Sequence, residues 1–232
     1  MKKVGLIIFI LALTLGLIFA NVFSFGKMTT RFFSFSINEG VSGSGNVATE
    51  KRDAADFQAV EVGGVFEVEI VAQKDFSVEV EADDNLLSLI KTEVSGGVLK
   101  LGTEKRISTK NPIRVRISAP NIEDLDISGA SKVSLGNLKN ENLQIDSSGA
   151  SKIIVTGETE NLTVDVSGAS RIDAENLKSE NASIDASGAS KVNVLVVNEL
   201  KSDASGASSI IYSGSPKNLI KKTSGVSSIN QK

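Results

Sequence analysis

The stretch Leu143-Gln-Ile-Asp-Ser-Ser-Gly-Ala-Ser-Lys-Ile-Ile-Val155 decides the fold. Apolar and polar residues alternate before its central Ser-Gly-Ala-Ser and again after it. Alternation with a period of two is typical of β-strands that bury one face. The tetrapeptide between the two strands predicts a tight corner, because glycine adopts backbone conformations that other residues resist. The serines on either side can bond the backbone of such a turn.

The same tetrapeptide recurs along the second half of the chain at intervals of 18 to 20 residues. Units too short to contain a helix, repeated at this period, are typical of solenoids. We therefore predict an all-β fold, a right-handed parallel β-helix of about 19–20 residues per coil, since parallel crossovers are usually right-handed. The copies lie at 128–131, 148–151, 167–170, 187–190 and 205–208, with the variant Ser-Gly-Val-Ser at 224–227.

Residues 49–232 are predicted to form one β-helix domain, with the regular repeats over 121–232. Alternating segments such as 66–70 and 113–117 also precede the repeats, and no linker intervenes. We therefore expect wider N-terminal coils that continue into the solenoid. In the last repeat, Lys221 and Thr223 take inward positions, and this polar coil is expected to cap the open end.

The N-terminal segment has the pattern of an export signal. Lys2 and Lys3 precede an uncharged, strongly apolar run over residues 4–26. This run is long enough to span a membrane, and the lysines favour a body outside the cytoplasm. Residues 1–26 are predicted to be an uncleaved signal anchor or a cleaved signal peptide, and 27–48 a juxtamembrane linker. The expected location is the bacterial cell envelope, with a single-pass anchor in the first case and a secreted or periplasmic protein in the second.

Outside the repeats, Gly43-Ser-Gly-Asn-Val47 is followed by Phe57-x-x-Val-x-Val-x-Gly-x-Phe66 and then by the serial Ser-Gly-Ala-Ser coils. Over residues 43–228 this order resembles the bacterial family described as "putative auto-transporter adhesin, head GIN domain", formerly a domain of unknown function. The resemblance implies an exported right-handed β-helix. It brings no catalytic motif.

The composition narrows the available chemistry. The chain has no His, no Cys and no Trp, and its formal net charge is −3. These absences exclude Ser-His-Asp triads, cysteine nucleophiles, disulfides and zinc sites built from His or Cys. A nucleic-acid partner is not expected, since phosphate contacts need clustered Lys and Arg. No cofactor and no metal site are expected, because a calcium-binding β-roll needs a nine-residue repeat.

Two columns of charged residues are the candidate binding residues. An aspartate stands two residues before five of the corners, and a basic residue directly follows four of them. Such columns could bind a polymer or cations. They could equally be a solvated face, because like charges about 4.8 Å apart cost only ~1 kcal/mol per pair in water. The residues are Asp126, Asp146, Asp165, Asp185 and Asp203, and Lys132, Lys152, Arg171 and Lys191.

These observations favour a non-enzymatic, envelope-exposed domain that binds or scaffolds an unidentified envelope or extracellular component and meets the membrane through residues 4–26. The alternative is a polysaccharide-acting enzyme on the same fold, which would use paired carboxylates. Aspartates that repeat in every coil and the lack of Trp disfavour that alternative. End-to-end self-assembly is a third hypothesis, and the polar last coil disfavours it.

Overall fold

Alternating residues form β-strands through most of the chain that the computed structural model describes, residues 40–232. The signal anchor or signal peptide predicted at residues 1–26, and residues 27–39 of the predicted linker, lie outside the described residues. Across residues 40–232, no helix is long and apolar enough to cross a membrane. The prediction of an all-β solenoid is confirmed, with about five turns.

Nine strands and one short 3-10 helix precede the repeats. They are β1 (Val41–Ser42), β2 (Val47–Arg52), β3 (Ala59–Gly64), β4 (Glu67–Val71), β5 (Ser77–Asp83), the 3-10 helix (Asp84–Leu89), β6 (Ile90–Ser95), β7 (Val98–Thr103), β8 (Ile107–Ser108) and β9 (Arg114–Ser118).

Eight further strands form the repeats, and the longest ones run through a bend from one side of a coil to the next. They are β10 (Asp124–Gly129), β11 (Lys132–Gly149), β12 (Lys152–Val166), β13 (Arg171–Ala186), β14 (Lys191–Ala204), β15 (Ser209–Ser213), β16 (Asn218–Thr223) and β17 (Ser228–Gln231).

The repeat strands stack in parallel and in the register that the tetrapeptides predict. Asp126 pairs with Asp146, which pairs with Asp165. Asp185 and Asp203 continue the same column. Each step joins residues 18 to 20 positions apart, so every coil lies on the one before it. This register places the same repeat position at the same point of each coil.

The N-terminal strands join the same sheet in a different order from their order in the chain. The strand β3 lies between β7 and β10, and β4 lies between β9 and β11, with parallel pairing throughout. The coil made of β7 and β9 comes later in the chain than the coil made of β3 and β4. It nevertheless lies further from the repeats along the stack. This order could not be expected from the sequence, because these pairs join segments far apart along the chain.

Antiparallel strands close the N-terminal end of the solenoid. The strand β5 pairs antiparallel with β9, β2 pairs antiparallel with β5, and β6 pairs antiparallel with β7. Residues 40–48 of the predicted linker belong to this end, since Val41–Ser42 pairs with Ile107–Ser108 and β2 begins at Val47. In the structure the folded region therefore begins before residue 49, because these residues find strand partners.

The core is the single apolar column enclosed by the coils. Inward residues such as Leu125, Ile127, Val133 and Leu135 are at most 2% exposed. The buried side chains form one continuous cluster from Phe57 to Ile229. Burial of aliphatic side chains on every coil is the main term that stabilises the stack.

The corners are also continuous from coil to coil. The Ala150 N–H donates to the Gly129 carbonyl at 2.8 Å, and each later corner repeats this bond. A Cβ on Gly149 would overlap that same carbonyl, so only glycine fits the corner. The last serine of the motif points inward: Ser151 is 3% exposed, and its hydroxyl accepts the Ser131 N–H at 3.2 Å. Ala150 lies exposed on the outside of the bend.

Candidate binding surface

The structure brings the predicted aspartates together as one outward column, here called the acidic row. Its members are exposed or half-buried and occupy the same position on consecutive coils. Sequence reasoning missed one member, Glu61, which pairs in register with Asp126. Lys100 forms an ion pair with Glu61 at 3.1 Å, and Lys222 lies in register beside Asp203. The row is Glu61, Asp126, Asp146, Asp165, Asp185 and Asp203.

Neighbouring carboxylates perturb one another along the acidic row. Partial burial raises the pKa of Asp126, and the charges of Glu61 and Asp146 raise it further. Partial burial also raises the pKa of Asp185, with added contributions from Asp165 and Asp203. The row is therefore a surface of stacked like charges. Within residues 40–232, no group of three or more Asp and Glu side chains has a geometry that could hold a metal ion.

The predicted cations also form one outward column, here called the basic row, on the other side of the corner. Lys132, Lys152, Arg171 and Lys191 pair in register on consecutive coils. The column continues toward the N-terminal end through Glu67, Arg114 and Glu81. The structure thus extends a column that the sequence shows only over the repeats.

Ion pairs occupy the N-terminal part of this column. The Lys132 Nζ atom lies 3.0 Å from Glu67, and Arg114 lies 3.3 Å from Glu67 and 2.6 Å from Glu81. Arg116, two residues further along β9, also contacts Glu81 at 3.2 Å. Hydrogen bonds from Arg114 and then Arg116 lower the pKa of Glu81. The sequence signal for this network was the alternation of Glu along β4 and β5 and of Arg along β9. The sequence does not predict that these three strands are neighbours.

The remaining cations of the basic row have no such partners. In the part of the chain that the structure describes, Lys152, Arg171 and Lys191 make no ion pair. A groove of about 490 Å³ adjoins Lys152, and Arg114, Arg116, Lys132 and the half-exposed Ile154 also line it. Three cations without partners therefore lead into a groove of mixed charge, because Glu67 and Glu69 line it together with the cations.

A ladder of asparagines, which the sequence analysis did not single out, links the coils on another side. Asn161 donates to Asn142 Oδ1 at 3.1 Å and accepts from Asn181 at 3.0 Å. Asn198 donates to Asn181 at 3.0 Å. The signal was the Glu-Asn dipeptide repeated at 141–142, 160–161 and 180–181. These bonds satisfy the amides internally, so the ladder is structural.

The last coil carries the polar residues expected of a cap. Lys221 takes the inward position in register with the buried Ser202. Its Nζ atom lies 4.4 Å from the centre of the Tyr212 ring and 3.5 Å from the Ile229 carbonyl oxygen. A cation over an aromatic face is attracted by the ring quadrupole. The ammonium group therefore covers the end of the apolar column. Among residues 40–232, the strands β16 and β17 each find a parallel partner on one side only.

Solved structures of similar fold exist. A protein titled a putative adhesin from Bacteroides fragilis NCTC 9343 is 19% identical, with a TM-score of 0.70, covering 83% of this chain and 100% of that chain. A putative adhesin from Parabacteroides merdae ATCC 43184 is 18% identical, with a TM-score of 0.52, covering 83% of this chain and 99% of that chain. At these identities the likeness shows the fold alone. No curated protein matches the sequence.

The family resemblance noted from the sequence is confirmed by a direct comparison. The model of the family described as "Putative auto-transporter adhesin, head GIN domain" matches residues 56–216. The match spans the strands β3 to β15, which include the N-terminal coils and most of the repeats. This chain therefore belongs to the putative auto-transporter adhesin, head GIN domain family.

Proposed function

We propose that this protein is an exported, envelope-exposed, non-enzymatic domain that binds or scaffolds an extended component outside the cytoplasm. The observation that carries the proposal is the in-register repetition of charged side chains on the outer faces of the coils. Each exposed charge contributes little alone. A partner that is itself repetitive can engage several coils at once, so that individually weak contacts add up.

The arrangement suits binding better than catalysis. An active site gathers different, perturbed groups around one point in a pocket. Here the carboxylates with raised pKa, such as Asp126 and Asp185, lie on separate coils of an open face and have neighbours of their own kind. Membership of an adhesin-like family supports the same interpretation and an envelope location. The apolar run over residues 4–26 supports export, and the general preference of parallel crossovers supports a right-handed winding.

Two measurements on the full chain test this function. Protease shaving of intact cells should degrade residues 50–232, and protection of these residues would overturn the export proposal. A binding screen with purified envelope polymers should identify a polymer that binds saturably and that the protein leaves chemically unchanged. Release of glycan fragments that is lost in Asp165→Ala and Asp185→Ala variants would replace the binding function with that of a polysaccharide-acting enzyme.

A further inference from the structure

The part of the basic row that has no ion pairs is the strongest candidate for a specific contact surface. Lys152, Arg171 and Lys191 occupy one position on three consecutive coils, about 4.8 Å apart from coil to coil. On the same row, Lys132 is already paired with Glu67. The charge of the three others is therefore available to a partner. An arginine in the series adds a planar, bidentate donor for carboxylate or sulfate oxygens.

The adjoining groove extends this surface toward the N-terminal end. Lys132 and Lys152 line it from the basic row, and Arg114 and Arg116 line it from β9. Glu67 and Glu69 also line it, and four cations against two carboxylates leave the lining net positive. Ile154 lies outward and half-exposed beside Lys152, so the groove offers an apolar contact next to its cations. A chain that follows the basic row thus reaches a concave site at one end. The basic row runs in the direction in which the coils stack.

The acidic row restricts where an anion can lie. Its six carboxylates stand on the strands before the corner, and the basic row stands on the strands after it. Like charge repels an anionic polymer from the first face more strongly than from the second, where the basic row stands beside Glu67, Glu69 and Asp173. The chain as a whole is acidic, with a net charge of −3, so attraction of an anion depends on local clusters of cations such as this row.

We propose that the basic row and its groove bind an extended acidic polysaccharide that lies along the solenoid axis. This inference rests on the proposed binding function and names its ligand class. A polyuronate carries a carboxylate on each sugar, so several carboxylates can face Lys152, Arg171 and Lys191 together. Single-stranded nucleic acid fits less well, because it is held by stacking on exposed aromatic rings and the described part of the chain has none in this row.

The test uses sodium polygalacturonate as the probe and the full chain, in titrations at increasing salt. We expect saturable binding that weakens as salt rises, because the contacts are exposed ion pairs. Lys152→Glu with Lys191→Glu should weaken binding roughly tenfold or more, since like charges then face each other. The matched control, Lys74→Glu with Lys139→Glu, makes the same change of net charge away from the row and should bind as the native chain does. Urea midpoints confirm that both double variants are folded.

Other probes decide the ligand class. Fully methyl-esterified polygalacturonate should not bind, and equal binding of this neutral polymer would overturn the proposal. Tighter binding of inorganic polyphosphate than of polygalacturonate would overturn the assignment to a polysaccharide. Equal loss of binding in the row variant and the matched control would overturn the assignment to the basic row. A screen that finds only a neutral or cationic partner would overturn this inference and leave the proposed binding function standing.

Discussion

At the scale of single residues, the corner glycine allows neighbouring coils to approach closely at the bend. Gly149 has a φ of 119°, and a side chain there would meet the Gly129 carbonyl that accepts the Ala150 N–H. Two separate requirements therefore act on one position: an unusual backbone angle and the absence of a Cβ. Gly97, in the turn between β6 and β7, has a φ of 79°, but a Cβ added to it would have no atom within 4 Å.

Gly149 and Gly97 separate the two requirements, because Gly149 has both and Gly97 has only the unusual backbone angle. We expect Gly97→Ala to lose about 1–2 kcal/mol of unfolding free energy, the usual penalty for alanine in a left-handed conformation. Gly149→Ala should lose more, because about 1–3 kcal/mol of backbone strain is joined by the overlap with the next coil. Urea unfolding of both variants measures the difference. Equal urea midpoints for the two variants would show that the overlap with the neighbouring coil adds nothing to the loss of stability.

The acidic row makes a prediction about pH. A carboxyl group whose pKa is raised on folding favours the folded state while it is protonated, and this contribution is lost as pH rises through the raised pKa. Asp185 is such a group, chiefly because of partial burial and then because of Asp165 and Asp203. We expect Asp185→Asn to raise the urea midpoint at about pH 7. The gain should disappear near pH 3, where ordinary carboxyl groups are protonated.

Glu81 provides the control of opposite sign. Arg114 and Arg116 lower its pKa, so its contribution to stability is present above the ordinary carboxyl range and is lost as pH falls. Glu81→Gln should therefore lower the midpoint at about pH 7, and the loss should shrink toward pH 3. A shift of both variants in the same direction at neutral pH would contradict this account of the two surfaces.

At the scale of strands, the last coil is the element most exposed to unwanted pairing. Within residues 40–232, the strands β16 and β17 have free edges, and Leu219 and Ile220 are 43% and 49% exposed. Unpaired edges template association with other chains unless charge blocks them. Lys221 supplies that charge over the Tyr212 ring. Lys221 is thus the part of this polar coil that lies at the end of the apolar column.

Replacing this side chain should expose the edge. We expect Lys221→Leu to give concentration-dependent assemblies by light scattering, while the native chain gives none. Lys222→Leu is the matched control, because Lys222 lies outward beside Asp203 and its replacement removes the same charge without altering the end of the column. Filaments of the native chain would show that the polar coil does not act as a cap.

The repeats were predictable from the sequence, and the N-terminal coils were not, for one physical reason. Each repeat packs on a neighbour of nearly the same sequence, so the period and the alternation predict which residues of neighbouring coils pair. The two charged rows followed directly from that register. By contrast, Val62 pairs with Ile127, which is 65 residues away, and the period of the repeats does not predict this pair. Glu61 and the Glu67–Arg114–Glu81 network were missed because they depend on such distant pairs.

At the scale of the whole molecule, each coil is supported only by the coils beside it. The strands β12 and β13 have partners on both sides, whereas β16 and β17 have partners on one. Solenoid stability is the sum of such neighbour contacts. Protection against local opening should therefore be uneven along the axis.

Hydrogen–deuterium exchange followed by mass spectrometry measures this gradient. We expect the amides of β12 and β13 to exchange slowest and those of β16 and β17 fastest. The antiparallel strands β2 and β6 should be intermediate at the opposite end, because each has one partner but the end is joined by the 3-10 helix and its loops. Uniform protection from β10 to β17 would indicate a single cooperative unit instead.

The interleaved order of the first coils sets a sequence of events for folding. Residues 40–118 contain every strand of the closed end, but β3 and β4 then still lack the neighbours that β10 and β11 provide. Closing those long loops is slow, since pairing over 65 residues costs more chain entropy than pairing over about 20. The repeats pair over only about 20 residues, so we expect them to stack before those loops close. The closed end then docks onto coils that already exist, and its docking is the slow step of folding.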